Sequence, residues 1–365
     1  MSYNISVIMP VYNAEQFIET AVSSVLNQPY KNINVIIIDD GSTDSSGKIC
    51  DEIADNNNRV YVIHQKNSGV SVARNNGIKY IVENIPNCNY VIFLDADDFW
   101  FKNTITKSLV DSFNDIDIIG MSTYFSNMSG TRFQSFHIYS EQTITRSKRG
   151  ILDWIFGGHF GAHFINVDIF KKYNLRFMAG VKISEDLIFM RQFFLCAKST
   201  KFMSTPLYAY RRNDKSVMHT SKINLNNAND IALAWFKSKD FVDSIDEISI
   251  DVKEEWHHSC ELKTGITLLD TAMELAKAGF NRNQIEETIY TTHYSYCYDL
   301  LNYNILNPYH QKPYLLINKS MNKFVIYYRV SGILLNTVRR ISKLKIMSMF
   351  NQHIRYPLKI NDIIK

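Results

Sequence analysis

Three carboxylates stand together at Asp95-Ala96-Asp97-Asp98, with Asp95 and Asp97 two residues apart. At the end of an extended strand, residues two apart share a face, so Asp95 and Asp97 would point the same way. Such a cluster repels itself unless a cation or hydrogen-bond donors compensate. Mg²⁺ and Mn²⁺ suit that need, because they take few protein carboxylates and complete their shell with water and phosphate oxygens. The same run would equally make an Asp-rich turn that caps a helix over 103–113. A second run, Asp39-Asp40-Gly41-Ser42-Thr43-Asp44, reads either as a turn with helix-capping residues or as a carboxylate that accepts the N–H of a base or a ribose hydroxyl. In Ser184-Glu185-Asp186, a helix start with Ser184 as cap and two acids favoured by the helix dipole competes with a carboxylate placed to take a proton from a hydroxyl.

The elements that must position these residues alternate over the first 125 positions. Apolar runs at 5–11, 35–38, 59–64, 90–94 and 117–121 read as strands. Between them, Phe17/Ile18, Ala21/Val22 and Val25/Leu26, then Ile49 and Ile53, then Ala73, Gly77 and Ile81 repeat at helical spacing. Strands alternating with helices predict a parallel sheet covered on both faces, and the fully apolar run at 35–38 agrees. In such sheets ligands bind beyond the carboxyl ends of the strands. Tyr12-Asn13, the run at 39–42 and the run at 95–98 all fall at such ends.

Beyond about residue 221 the pattern changes. Leu262, Ile266, Leu269, Met273 and Ala276 step by three and four, as do Ile285, Ile289, Thr292 and Tyr296, which predicts amphipathic helices without strands between them. The intervening stretch 126–220 is irregular and aromatic and extends the first domain. His159 and His163, four residues apart, read as packing residues, since no further ligand accompanies them. Arg211 and Arg212 form either a basic surface turn or a contact to a diphosphate.

Composition sets the outer bounds. The 365 residues are 45% hydrophobic and 21% charged, enough for a full core and two domains. With 14 Gly and 7 Pro, collagen-like and low-complexity chains are excluded. No run reaches the roughly 18 apolar residues of a spanning helix. The first residues lack a basic n-region, and five scattered cysteines fit a reducing compartment, so a cytoplasmic setting is expected. Net charge is +4, but residues 311–365 hold 11 Lys/Arg against one acid, Asp362, leaving the body acidic. That asymmetry argues against nucleic-acid binding and for a local anionic partner of the tail. Val330, Ile333, Leu334, Val338, Ile341 and Leu344 share a helical face with Arg339, Arg340 and Lys343 largely opposite. This is the pattern of a peripheral helix on the inner face of an anionic membrane, or of a helix packed on the body.

The succession ISVIMPVYN, SVLNQ, VIIIDDGSTDSS, NSGVSVARNNG, YVIFLDADD and SEDLIF, in this order within residues 3–217, resembles glycosyltransferase family 2. The resemblance implies an α/β, GT-A fold: a Rossmann-like, mostly parallel sheet with helices on both faces over residues 1–220, then a smaller helical domain at 221–365 with a basic amphipathic tail. It implies that Pro10, Val11 and Tyr12 line the base pocket, that Asp40 accepts the base N–H, and that Asn67 and Arg74 close the nucleotide side. Asp95, Ala96 and Asp97 would form the DxD-type element, Asp95 near the ribose and Asp97 on a divalent metal, Mn²⁺ or Mg²⁺, with Asp98 the alternative ligand. Asp186 would be the base on the acceptor hydroxyl.

The expected activity is inverting transfer of one hexosyl or N-acetylhexosaminyl unit from a UDP-sugar to a glycan or lipid-linked acceptor in bacterial capsule or other surface-polysaccharide synthesis. The QxxRW motif of processive synthases is absent, which favours single addition. A non-catalytic nucleotide-sugar-binding or scaffold protein is the rival. An NAD-dependent enzyme is disfavoured because no GxGxxG follows the first strand.

Overall fold

The computed structural model describes residues 2–145, 159–181, 184–212, 225–290, 296–301, 304, 306 and 308–328. The expected tail helix, the boundary near residue 220 and Thr292 lie outside these. Two compact units are present: Met1–Lys222 with Leu233–Cys260, and Ile223–Ala232 with Glu261–Lys365.

The first unit is built on a mixed ten-stranded sheet. Strands β1 (Ile5–Val11), β2 (Ile33–Asp39), β3 (Val60–His64) and β4 (Tyr90–Phe93) pair in parallel in the order β3-β2-β1-β4. Their side chains alternate between two cores, as the pleat requires. Val7, Met9, Val35 and Ile37 enter one with Ile18, Val22 and Val25 of helix α1 (Ile18–Leu26). Ile8, Ile36, Ile38 and Phe93 enter the other with Ala73, Ile78 and Ile81 of α3 (Val70–Asn84), which follows α2 (Ser46–Asp55). Each such fully buried side chain is worth about 1.5–3 kcal/mol, so an apolar run like 35–38 is held from both sides. Gly77 lets α3 approach β1 closely: a Cβ there would lie 2.6 Å from Ile8 Cγ2.

Beyond β4 the sheet is no longer parallel throughout. The two-residue β5 (Phe99–Trp100) comes next in the chain, then α4 (Lys107–Asp111), shorter than the expected 103–113 and capped by the Thr106 side chain rather than by an Asp. Strand β6 (Ile118–Ser126) is followed by β7 (Phe133–His137), β8 (Gln142–Thr145) and β9 (His163–Asn166), then α5 (Val167–Lys172), α6 (Glu185–Cys196) and β10 (Ser199–Arg211). The short β9 runs antiparallel between β4 and β6, which makes β4 and β6 parallel to each other, and β10 is parallel to β6. The carboxyl ends of β1, β2, β4, β6 and β10 therefore share one edge.

The helices α7 (Leu225–Asp243) and α8 (Ile250–Ala278) each contribute residues to both units. Val242, Ile245, Trp256 and Cys260 belong to the same apolar core as α3 and α6, so residues 233–260 join the sheet unit. In the second unit α9 (Arg282–Tyr290), α10 (Tyr296–Asp299) and α11 (Pro308–Lys319) accompany the end of α8. Leu269, Met273, Ala276, Ile285 and Ile289 are buried there, whereas Tyr296 is exposed. Among the described residues no helix is long and apolar enough to cross a membrane.

Candidate active site

The loops after β1 and β2 are laced together at the shared edge. Asn13, held at a positive φ of 49°, accepts the Thr43 N–H on its Oδ1 at 2.8 Å, and the Ala14 N–H donates to Ser46 Oγ at 2.8 Å. Asp44 accepts the N–H groups of Ser46 and Glu15, so it supports the start of α2. Asp39 faces the other way and accepts from the Ser42 N–H and from His64 Nδ1 at 2.8 Å; His64 Nε2 reaches Asp51 at 3.0 Å. These bonds hold Asp39 below the usual carboxylate range against burial, and they raise His64.

Asp40 is buried, and its carboxylate accepts three bonds: Gln65 Nε2 at 2.7 Å, the Ser68 N–H at 2.8 Å and the Gly69 N–H at 2.8 Å. It thereby shapes the loop that leads into α3. With about four lone-pair positions on a carboxylate, one remains for a ligand donor. Gly41 is required at the same turn, since its φ is 72° and a Cβ would sit 2.7 Å from the Asn67 nitrogen. Tyr12 is 51% exposed and Asn67 is exposed, so both stand where a nucleotide could meet them. Pro10 is half-buried, and its missing N–H falls on the β4 side, where β4 pairing has already ended at Ile8–Phe93.

Three of the expected contact residues have buried side chains. Val11 is 1% exposed with its side chain in the core, and its carbonyl accepts the Asp40 N–H. Ala96 is likewise turned into the core, leaving only its backbone for a ligand. Arg74 is 4% exposed and lies beneath the site. One guanidinium nitrogen meets Asp95 Oδ1 at 2.8 Å and another meets Glu185 Oε1 at 3.1 Å, while the rings of Phe160 and Phe177 lie 4.4 and 5.1 Å away. Burial opposes this charge, but Asp95 and Glu185 more than offset it, so Arg74 stays protonated. Its guanidinium is engaged by these two carboxylates and the two rings.

The acidic cluster sorts itself by partners. Asp95 is half-buried and kept ionised, because Arg74 and His159 outweigh its burial. Asp98 is 1% exposed: its Oδ2 accepts the Tyr208 hydroxyl at 2.8 Å and its Oδ1 accepts the Arg211 N–H at 2.7 Å. Burial and the charges of Asp97 and Asp95 push it well above the usual range. Asp97, half-buried, makes no side-chain bond to another described residue; burial and Asp95 push it up to about 6.

Across the edge, α6 begins at Ser184, which sits at a left-handed φ of 68° and makes no side-chain cap, contrary to the capping role expected of it. Asp186 is half-buried and accepts the Leu187 N–H on Oδ1 at 2.7 Å, and among the described residues its other oxygen has no hydrogen-bond donor. Its charge acts on His159, Arg74 and Glu185. Glu185 is raised to about 7 by burial and by Asp186, with Arg74 offsetting only part of this.

A family model described as Glycosyl transferase family 2 matches residues 6–173. Glycosyltransferase GlyG of Streptococcus pneumoniae serotype 4 is 32% identical over 252 residues, 65% of this chain and 80% of that protein. The chain belongs to glycosyl transferase family 2. The minor teichoic acid biosynthesis protein GgaB of Bacillus subtilis is 33% identical over 260 residues, 67% of this chain and 27% of that one. This chain spans less than two thirds of the length of several such relatives. Among solved structures, S. aureus TarS 1–349 in complex with UDP-GlcNAc aligns with TM-score 0.57 over 90% of this chain and 91% of that one. At 15% identity that likeness is one of fold.

Within this family 2 chain, sequence reasoning missed His159, Tyr208 and Glu185 as members of the site. His159 precedes a 3₁₀ turn at Phe160–Ala162; its Nδ1 accepts the Gly161 N–H at 3.2 Å and its ring lies 4.3 Å from that of Tyr208. Gly161 permits this, since a Cβ would fall 2.7 Å from Tyr208 and 3.0 Å from His159. Burial lowers the His159 pKa despite Asp95 and Asp186. His163, read as packing, is fully buried against Tyr139 and Phe160 and pushed down to about 3.

Ligating atoms of Asp95, Asp98 and His159 come within 4.8 Å of one another. Two carboxylates and an imidazole are a donor set that a divalent first-row cation accepts, and the carboxylates alone suit Mg²⁺. The repulsion between Asp97 and Asp95, which the Arg211 charge offsets only in part, is what such a cation would relieve. The residues present therefore fit a metal, with Asp97 the carboxylate least committed to the protein.

Proposed function

We propose that this chain is an inverting, metal-dependent glycosyltransferase that moves one hexosyl or N-acetylhexosaminyl unit from a UDP-sugar to a hydroxyl of a glycan or lipid-linked glycan in bacterial surface-polysaccharide synthesis. The observation that carries the reading is the uncommitted Asp97 beside Arg74-held Asp95, with Asp186 open on the same edge. The neighbouring UDP-GlcNAc complex of TarS and the teichoic acid role in the name of GgaB support the donor and acceptor classes. The setting is the cytoplasm, with the basic tail as a contact to the anionic inner face of the membrane.

On this reading Tyr12, Pro10, Asn67 and the last lone pair of Asp40 receive the base, and Asp95 receives the ribose. Asp97, with Asp98 as the alternative ligand, would hold Mn²⁺ or Mg²⁺, which when bound neutralises charge on the diphosphate. Asp186 takes the proton of the acceptor hydroxyl as that oxygen bonds the anomeric carbon from the face opposite the leaving group. The bond from the anomeric carbon to the diphosphate oxygen breaks in the same displacement, and UDP leaves. Arg74 keeps Asp95 ionised and Glu185 away from the acceptor.

Calorimetry of a nucleotide-sugar panel with Mn²⁺, Mg²⁺ or EDTA tests this. Wild type should bind one UDP-sugar only with metal, Asp97→Asn should lose that binding, and Asp186→Asn should keep it while losing turnover. Metal-independent binding would remove Asp97 from its role, and absence of any nucleotide binding by folded protein would overturn the reading.

A further inference from the structure

At the carboxyl ends of β6 and β10, three side chains form a layered stack. The rings of Phe125 and Phe136 lie 4.3 Å apart at 30°, and the Arg212 guanidinium sits 3.9 Å from the centroid of Phe125. Local structure fixes this arrangement. Tyr210 pairs with Phe125 across the parallel strands, and the Arg212 N–H donates to the Ser126 carbonyl at 2.9 Å. Tyr208, Tyr210 and Arg212 alternate onto one face of the sheet. Arg211 falls on the other, between Phe17 and Phe99.

The stack is continuous with the acidic cluster. Asp186 acts on His159, whose ring is 5.3 Å from Tyr210; Tyr210 is in turn 5.7 Å from Phe125 and 6.4 Å from Phe136. Sheet order puts the stack on the β6–β10 half of the edge, away from the β2–β1–β4 half that carries Tyr12, Asp40 and Asp95.

Phe136 is 43% exposed on β7, which among the described residues pairs only with β6. Arg212 is exposed, and no carboxylate among the described residues pairs with it. An aromatic face open to solvent receives the C–H face of a sugar ring. A guanidinium fixed on a ring keeps its fork of donors directed outward, matched to a phosphate or carboxylate.

We propose that the Arg212–Phe125–Phe136 stack reads the acceptor: a sugar ring rests on Phe136 and an anionic group of the same acceptor, phosphate or carboxylate, pairs with Arg212. The inference rests on the glycosyltransferase reading, and it makes the acceptor an anionic glycan.

Affinity electrophoresis of the full chain, in native gels containing poly(glycerol phosphate), alginate or dextran, tests it. Migration is referred to a polymer-free gel, and UDP affinity on the same preparations reports that the nucleotide half is intact. At least one anionic polymer should retard wild type more than dextran does. That retardation should weaken by about two- to tenfold in both Phe136→Ser and Arg212→Gln, the range expected for one ring or cation contact. Retardation by poly(glycerol phosphate) alone assigns a phosphate acceptor, by alginate alone a carboxylate, and by both the shared charge. Variants retarded like wild type would overturn the proposal, as would equal retention on dextran that survives Arg212→Gln. Failure of the glycosyltransferase reading would show separately, as wild type without UDP affinity.

Discussion

Replacing Arg74 by Met removes the one cation that serves both Asp95 and Glu185 from beneath the site. Breaking a buried pair by deleting one partner costs about 3–5 kcal/mol, because a charge is left without compensation. Two features pull the expected value toward the lower end. The Asp95 side chain is 24% exposed and Glu185 13%, so water reaches part of the first, and Glu185, already raised to about 7, takes up a proton at little cost. We expect a loss of about 3 kcal/mol at pH 8, with a fall in Tm of roughly 6–12 °C.

The sign with pH follows from linkage. Without Arg74 the folded-state pKa of both acids rises above the unfolded value, so the deficit is small below the ordinary carboxylate range and grows as pH climbs through the raised values. Urea unfolding at pH 5.5 and 8, with hydrogen exchange of peptides covering α3 and β4, reads this. Arg74→Met combined with Glu185→Gln should recover part of the loss. A deficit under about 1 kcal/mol at pH 8, or one that does not shrink toward pH 5.5, would refute the view that Arg74 is an electrostatic clamp.

Asp98→Asn should keep metal-dependent nucleotide binding at a cost of about 1–3 kcal/mol in stability, since an amide accepts the Arg211 N–H but leaves the buried Tyr208 O–H without its acceptor; Asp98→Ala, orphaning both, should cost about 2–4 kcal/mol. Loss of metal-dependent binding in Asp98→Asn, measured by calorimetry, would make Asp98 the ligand instead. The His64 bridge to Asp39 and Asp51 should add pH dependence to stability. Its contribution is full below the ordinary value of 6.5 and fades as pH rises through the raised folded value, and it stays under about 1 kcal/mol because the side chain is half-exposed. Urea midpoints of wild type minus His64→Ala from pH 5.5 to 8.5 check this; a difference constant with pH would exclude it.

The β1–β4 half of the fold is legible because its strands are buried on both faces. Within Ile33–Asp39, residues 35–38 read as an unbroken apolar run, and their side chains divide alternately between the two cores. Beyond β4 that signal fails for physical reasons. Strand β10 carries Lys201, Ser204, Thr205 and Pro206 in its middle, and its register to β6 slips between Met203 and Pro206 and again before Tyr208. Strand β9 has four residues and follows a glycine-containing turn, too short for periodicity to show. Segments 233–260 look like the helices after them, but their buried Trp256 and Cys260 fill the core beside the sheet.

The acids of the site are legible as a group, by their place at strand ends, but not as individuals. Asp40, Asp95, Asp97 and Asp98 are the same letter at similar positions, and what separates them is how many donors the fold supplies. Asp40 receives three, from a loop about 25 residues on. Asp98 receives two, from Tyr208 and Arg211, more than a hundred residues away on a strand the sequence conceals. Asp95 receives a guanidinium, and Asp97 receives no hydrogen bond from another described side chain, only the more distant charge of Arg211. A half-buried carboxylate beside a second negative charge is tolerated only where something outside the chain completes it or a proton does. The residue that the fold leaves least satisfied is thus the one that the proposed function assigns to the metal, and only the partners contributed by β10 and α3 reveal which of the four it is.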